Sequence, residues 1–356
     1  MSHSVSKSEA QRTVTEYKAS TGLLREEIVC DLNDDAQDFV KSKHAPKTQL
    51  AYKSDARIFT EWCYLQNPSI NPLHCKTADI CNFLAMQAKG NLSRWQWVDK
   101  KKGQGTLVNG KPLAFSSVSR RFSGVKFALS QLGRKFNKAE SEVVSDTLAG
   151  IANRVSTQPS KVKGFGPDEL RLIFSEMNLN DHVDLRDRAL LMLLFAGAFR
   201  RSELASLKHK NIKFIQNKGM DIKIEKVKRN RNGITKSIVA GDSDLCPVRF
   251  MQEYIDAAGI FNGYVFRRSN RSRKMLLDNI SDLSIYKIVV NRFKKANIDG
   301  RFGGHSGRRG FVDTSLRAGK PINKVMEMTG HKDLRTVQEY FDETERWKDN
   351  AGSGLY

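Results

Sequence analysis

The apolar residues Ala189 to Phe199 (ALLMLLFAGAF) run without interruption into a pair of arginines, Arg200 and Arg201. The run falls well short of the roughly 20 residues that cross a bilayer. It has no polar side to turn to water, so it reads as a helix buried all round. Such a helix needs a substantial domain to cover it, and 356 residues allow two domains with a core in each.

Charge narrows the partner. Sixty Lys and Arg against 39 Asp and Glu leave a net charge of +21, which points to a polyanion such as nucleic acid. Anionic lipid and RNA fit the charge alone, but the chain carries no lipidation motif, no basic amphipathic anchor and no RNA-binding signature, so no membrane partner is expected. The opening residues MSHSVSKSEAQ lack the apolar stretch of a signal peptide. The five cysteines (Cys30, Cys63, Cys75, Cys81, Cys246) are odd in number and show no metal-type pairing. We read them as small buried side chains in a reducing cytoplasm.

The expected fold is mainly α, in two domains. Residues 1–30 read as a polar tail and 31–154 as a helical domain. In that domain Tyr52, Phe59, Trp62 and Cys63 mark one face of a helix over about Pro46 to Gln66, and a second helix follows near Cys75 to Gln87. Between about 91 and 112, Trp95 and Trp97 alternate with polar residues ahead of Lys100 to Lys102 and an Asn109-Gly110 turn signal, which suggests a hairpin insertion. From Ser116 to Leu132, the residues Val118, Phe122, Val125, Leu129 and Leu132 form a stripe. Arg120, Arg121 and Lys126 are read as pointing elsewhere, as a basic face that either grips phosphates or is simply solvated.

Residues 155–166 read as a basic linker, and Pro167-Asp168-Glu169 as a helix start. The 167–356 domain is expected to be mostly helical with one small antiparallel sheet, its strands holding Ile222 and Ile224, then Ile238 and Val239. Further helices are expected near Val248, Leu283, Phe311, Ile322 and Leu334. Two domains joined by a strap can close round a duplex as a clamp.

Four pieces of the second domain carry chemistry: Arg200-Arg201-Ser202-Glu203-Leu204; the lysine-rich Lys226-Val227-Lys228-Arg229; His305-Ser306-Gly307-Arg308; and Gly330-His331, followed nine residues later by Tyr340. In this order and spacing they resemble the tyrosine recombinase (phage integrase) family, whose signature is Arg, Lys, His-x-x-Arg, His or Trp, and Tyr. The motif pattern His305 to Tyr340 looks most similar to the Cre-like recombinases, although these usually have Trp where His331 stands. The motifs cover about 167–350. The helical region before them is similar more loosely, as a DNA-gripping domain.

Physical chemistry explains these residue types. Negative charge grows on the non-bridging oxygens of a phosphodiester as a nucleophile adds, and a planar guanidinium can hold two of them without losing its own charge. Arg200 and Arg308 are the candidates, selected over Arg201 and Arg309 by the family pattern. A tyrosine hydroxyl titrates near 10, so Tyr340 needs a cationic site to act as nucleophile. The departing 5′-oxygen needs a proton, which a hairpin lysine can supply. Gapless alignment from Arg200 selects Lys228, whereas counting back from Gly233 selects Lys226. His305 is expected to accept a proton or bond the phosphate, His331 to donate to a non-bridging oxygen, and Glu203 to position the site.

The resemblance implies a 3′-phosphotyrosyl intermediate, no cofactor and no metal. It also implies double-stranded DNA with inverted-repeat half-sites, a homotetramer on two sites and a Holliday junction, in a bacterial, phage or plasmid setting. In the family a C-terminal segment docks on a neighbouring protomer, and Trp347 is a candidate anchor or a residue packed on its own domain. A type IB topoisomerase, or a DNA-binding regulator that has lost catalysis, would share parts of the pattern. The compact Gly-His to Tyr ending argues against the first, and the presence of every catalytic residue against the second. Candidate DNA contacts are Lys47, Ser116, Arg120, Arg121, Lys126, Lys287 and Arg292.

Overall fold

The computed structural model describes residues 46–99, 104–155, 162–225 and 233–331, with Leu334 and Val337. The chain divides into two compact units between Ser160 and Lys161. The 1–30 tail and residues 156–161 of the expected linker lie outside the described residues, as do Lys226, Lys228, Tyr340 and Trp347. No described helix is long and apolar enough to cross a membrane.

The first unit holds α1 (Pro46–Tyr64), α2 (Thr77–Lys89), α3 (Phe115–Gln131) and α4 (Lys138–Arg154), with strands β1 (Ser93–Asp99) and β2 (Gln104–Asn109) between α2 and α3. Its core is aromatic, with Phe59 and Trp62 of α1 lying 5.0 and 5.3 Å from the ring of Phe83 on α2. Cys63 and Cys75 are buried beside them and Cys246 is buried in the second unit, while Cys81 is half-buried; all four are free thiols. Helix α4 starts on Asn137, whose side chain accepts from the Glu140 amide while Glu140 accepts from the Asn137 amide, so two orphan amides are satisfied reciprocally. The inserted hairpin pairs Ser93 with Asn109 and Trp95 with Leu107. Asn109 therefore closes β2 rather than forming the turn expected there.

The basic face proposed for α3 is smaller than the sequence suggested. Arg121 is 8% exposed and donates to Gln87 Oε1 at 2.8 Å, facing Asp55 of α1 at 3.5 Å. Asp55 also receives Arg120, whose side chain stays about half exposed. The helices approach so closely here that a Cβ at Gly124 would sit 2.8 Å from Asp55 Cβ. Arg121 is thus an interior residue tying α1, α2 and α3, not a phosphate contact.

In the second unit the apolar run forms α6 (His182–Ala196), preceded by α5 (Pro167–Ser175). Asp181 caps α6 by accepting from the Val183 amide at 2.7 Å. Leu190, Leu191 and Leu193 have no exposed surface, because α5, α8 (Pro247–Ala257) and α10 (Ser306–Arg317) pack around the helix. Each fully buried Leu is worth roughly 1.5–3 kcal/mol, so this helix is a large part of a core that also takes in Phe250, Tyr254, Phe266 and Phe293.

After the short α7 (Arg201–Ala205), an antiparallel sheet forms from β3 (Ile212–Ile215), β4 (Gly219–Ile224) and β5 (Ile234–Val239), in that order. The expected strand pair is β4 and β5; β3 was not foreseen, nor was the hairpin of β6 (Arg267–Ser269) and β7 (Met275–Asn279). Helices α9 (Asp282–Lys295) and α11 (Ile322–Thr329) complete the unit. Residues 162–166, read as linker, pack here. Lys163 N donates to Arg301 O, and Phe165 is buried 5.0 Å from the Phe293 ring. A Cβ at Gly310 of α10 would meet Phe165 O at 1.8 Å.

A buried ion network fixes α9 to the start of α6. Arg292 donates to Asp187 at 2.6 Å and also to Asp184, Arg186 pairs with Asp187 at 2.7 Å, and Arg273 joins Asp184 to Asp181. Arg292, a candidate DNA contact, is therefore committed to the interior. Lys287 on the same helix is exposed. Removing one partner of a buried network leaves uncompensated charge, so Arg292→Ala should cost about 3 kcal/mol of stability, with Arg273 and Arg186 still in place. Lys287→Ala should stay within about 0.5 kcal/mol. Urea unfolding of the two variants checks the contrast.

Candidate active site

The buried helix determines where the cations sit. Helix α6 ends at Gly197, where a Cβ would lie 2.1 Å from the Phe199 ring. The next residue, Ala198, adopts a left-handed φ of 45°, which for a residue with a Cβ costs about 1–2 kcal/mol. The surroundings hold it there. Ala198 O accepts from Arg308 Nη1 at 3.0 Å and from Lys236 Nζ at 3.4 Å, while Gly197 O accepts from Lys236 Nζ at 2.6 Å.

This turn delivers Arg200 to the start of α7. Glu203 Oε2 accepts from the Arg200 amide at 2.8 Å and Oε1 accepts from Arg200 Nη1 at 2.7 Å. Glu203 is buried, while the Arg200 side chain stays 39% exposed, so the carboxylate orients the guanidinium and leaves it open to an incoming ligand. Arg201 instead donates to Asp282 O at 3.2 Å and lies over the Tyr286 ring. It crosses Gly304 so closely that a Cβ there would collide with its guanidinium.

Arg308 comes from α10, which sits against α6 because Gly307 has no side chain; a Cβ would meet Leu194 backbone atoms at 2.7 Å. Arg308 is 3% exposed. His305 precedes this helix and is exposed. Partial desolvation, then the charges of Arg201, Arg308 and Arg200, lower its pKa below the usual histidine value. His331 follows α11, which ends on Gly330 at φ 68°. The Gly330 and His331 amides both donate to Met326 O, a left-handed cap that turns the imidazole back toward the site.

Desolvation, then Arg308, Arg200 and Lys236, push the His331 pKa down to about 4. Its Nδ1 lies 3.1 Å from Thr329 Oγ1, which itself donates to Val325 O at 2.8 Å. An arriving anion would offset the repulsion from the arginines and favour the protonated imidazole, in which both ring nitrogens are donors.

The structure thus brings together Arg200, Glu203, His305, Arg308 and His331 of the expected constellation; Lys226, Lys228 and Tyr340 lie outside the described residues. It adds Lys236, which the motif reading missed. The signal was available, since Ile234, Lys236 and Ile238 share one face of a strand with period two. Lys47, Ser116 and Lys126 are exposed in the first unit, Lys126 lying over the Phe136 ring. Among the described residues no cluster of His, Cys, Asp and Glu could hold a metal. What remains is a group of guanidiniums and imidazoles around an open position, a site suited to binding and activating a phosphate diester.

Residues 164–346 match the profile of the Phage integrase family. An integrase/recombinase xerD homolog from Selenomonas ruminantium is 29% identical over 335 residues, covering 89% of this chain and 87% of its own length. A tyrosine recombinase XerC from Lactobacillus delbrueckii subsp. bulgaricus is 24% identical over 303 residues, covering 83% and 88%. Among solved structures, the Tn1549 transposon integrase in complex with circular intermediate DNA is similar with a TM-score of 0.56 at 14% identity, covering 86% of this chain and 93% of that one. A lambda integrase dimer bound to a COC' core site gives 0.52 at 13% identity, covering 94% and 82%.

The depressed His331 pKa has a consequence for stability. The unfolded chain binds a proton at this imidazole near pH 6.5, the folded chain only near 4, so folding loses stability as pH falls through that window. His331→Gln removes this loss. Urea unfolding at pH 7.5 and at 4.5 should show the variant gaining on the wild type at the lower pH.

Proposed function

This chain belongs to the phage integrase family and is a tyrosine-type site-specific recombinase, and on that premise we propose that it cuts and rejoins double-stranded DNA through Tyr340. The observation that carries the assignment of roles is the convergence of Arg200 and Arg308 on one turn, Arg308 through Ala198 O and Arg200 through Glu203. Two guanidiniums fixed from below can hold the non-bridging oxygens of a scissile phosphate. The Tyr340 hydroxyl attacks phosphorus and the DNA 5′-oxygen leaves, giving a 3′-phosphotyrosyl bond that conserves the energy of the broken one. Lys228, or Lys226, protonates the leaving oxygen. His305 takes up the tyrosine proton or bonds the phosphate. His331, protonated as the phosphate arrives, donates to a non-bridging oxygen.

Reversal of the same step with a 5′-hydroxyl from another duplex exchanges strands. Carried out on inverted-repeat half-sites by a tetramer on two sites, it passes through a Holliday junction. The first unit, with exposed Lys47, Ser116 and Lys126, and Lys287 in the second, supply the DNA grip, supported by the net charge of +21. On this reading the protein works on DNA in the cytoplasm, in a bacterial, phage or plasmid setting.

Wild type incubated with DNA containing its site should give a protein–DNA adduct on a denaturing gel, and Tyr340→Phe should give none while still binding. An adduct formed equally by Tyr340→Phe would remove Tyr340 as the nucleophile. Arg308→Ala should slow adduct formation by about 10²–10³, the cost of losing one preorganised donor to a developing oxyanion. DNA affinity should fall steeply with salt, measured as the slope of log K against log salt concentration.

A further inference from the structure

Lys236 occupies a position that packing alone would give to an apolar residue. It pairs in register with Ile222, on the face of β5 shared with buried Ile238, and is itself 5% exposed. Burying an ammonium is costly unless it is fully engaged, and here every contact leads to one turn. Nζ donates to Gly197 O at 2.6 Å and to Ala198 O at 3.4 Å, and lies 4.5 Å from the centre of the Phe199 ring. The Ala198 carbonyl is also the acceptor for Arg308, and the turn ends on Arg200. The hydrogen bonds of its ammonium go to main-chain carbonyls of that turn.

We propose that Lys236 is a positioning residue for strand cleavage: it clamps the strained Gly197–Phe199 turn from the sheet side, so that Arg200 and Arg308 are held at the spacing one phosphate requires. Without the clamp, Ala198 can relax from its left-handed φ, and Arg200 and the Arg308 acceptor shift together. Burial, against the attraction of Glu203, lowers its pKa to about 7, with Arg308 and Arg200 adding to the effect. His331 feels the charge of Lys236 in turn. The lysine is thus electrically part of the site while its contacts are to main chain. This role is distinct from that of the hairpin lysine that protonates the leaving oxygen, and it rests on the proposed cleavage reaction.

The test uses the full-length protein with Lys236→Met, which keeps volume but removes donors and charge, and Lys236→Arg, which keeps both. Thermal melts, equilibrium DNA binding and single-turnover adduct formation are measured for each. Lys236→Met should melt cooperatively and bind DNA within about twofold of wild type, yet form adduct about 100-fold more slowly, the scale expected for a misplacement near 1 Å. Lys236→Arg should recover most of that rate. The proposal is overturned if Lys236→Met cleaves at the wild-type rate, if binding falls as much as cleavage, if Lys236→Arg recovers nothing, or if Lys236→Met does not fold. Failure of the wild type itself to form an adduct on DNA it binds would instead count against the cleavage reading.

Discussion

The burial of α6 on all sides is the constraint on which the second unit depends. The second half of α6, from Ala189, has no polar face and must be covered by its neighbours, which α5, α8 and α10 do. Gly307 lets α10 come within backbone contact of Leu194. Because the helix ends inside the protein, its last carbonyls cannot turn to water and need internal donors. Lys236 donates to the Gly197 carbonyl that closes the helix, and Arg308 joins it one residue further on, at Ala198 O. The same hydrogen bonds that complete a buried helix end therefore assemble a cationic site.

That coupling explains why so much charge accumulates without destabilising the unit. Arg200 is balanced by Glu203, Lys236 by carbonyl dipoles and the Phe199 ring, and both histidines are kept from protonation at neutral pH by desolvation and by their cationic neighbours. The result is a site where cationic side chains converge, suited to an anion. Such preorganisation lets fixed donors stabilise developing charge without rearranging during the reaction.

Much of this was legible in the sequence, and the exceptions have geometric causes. The apolar run, the order of Arg200, His305, Arg308, His331 and Tyr340, and the hairpin insertion are properties of local order. Arg121 was misread although helix geometry places it three residues after Val118 and four before Val125, on the core side of α3. Arg292 was misread because its partner Asp187 lies 105 residues away in the chain, a relation no local pattern contains. Residues 162–166 resemble a linker because they lack periodicity, yet Phe165 is buried through contacts with α9 and α10.

By itself the sequence determined which chemical groups are present, their order, and that one helix must be interior, since residue type and periodicity are written along the chain. Only the tertiary structure decided which of the many cations serve the site. A charge becomes structural or functional according to what lies across from it: Arg292 faces two buried carboxylates, Arg200 faces one carboxylate and an opening, and Lys236 faces two carbonyls at a helix end. Electrostatic energy depends on distance and on exclusion of water, and both are set only when the elements pack.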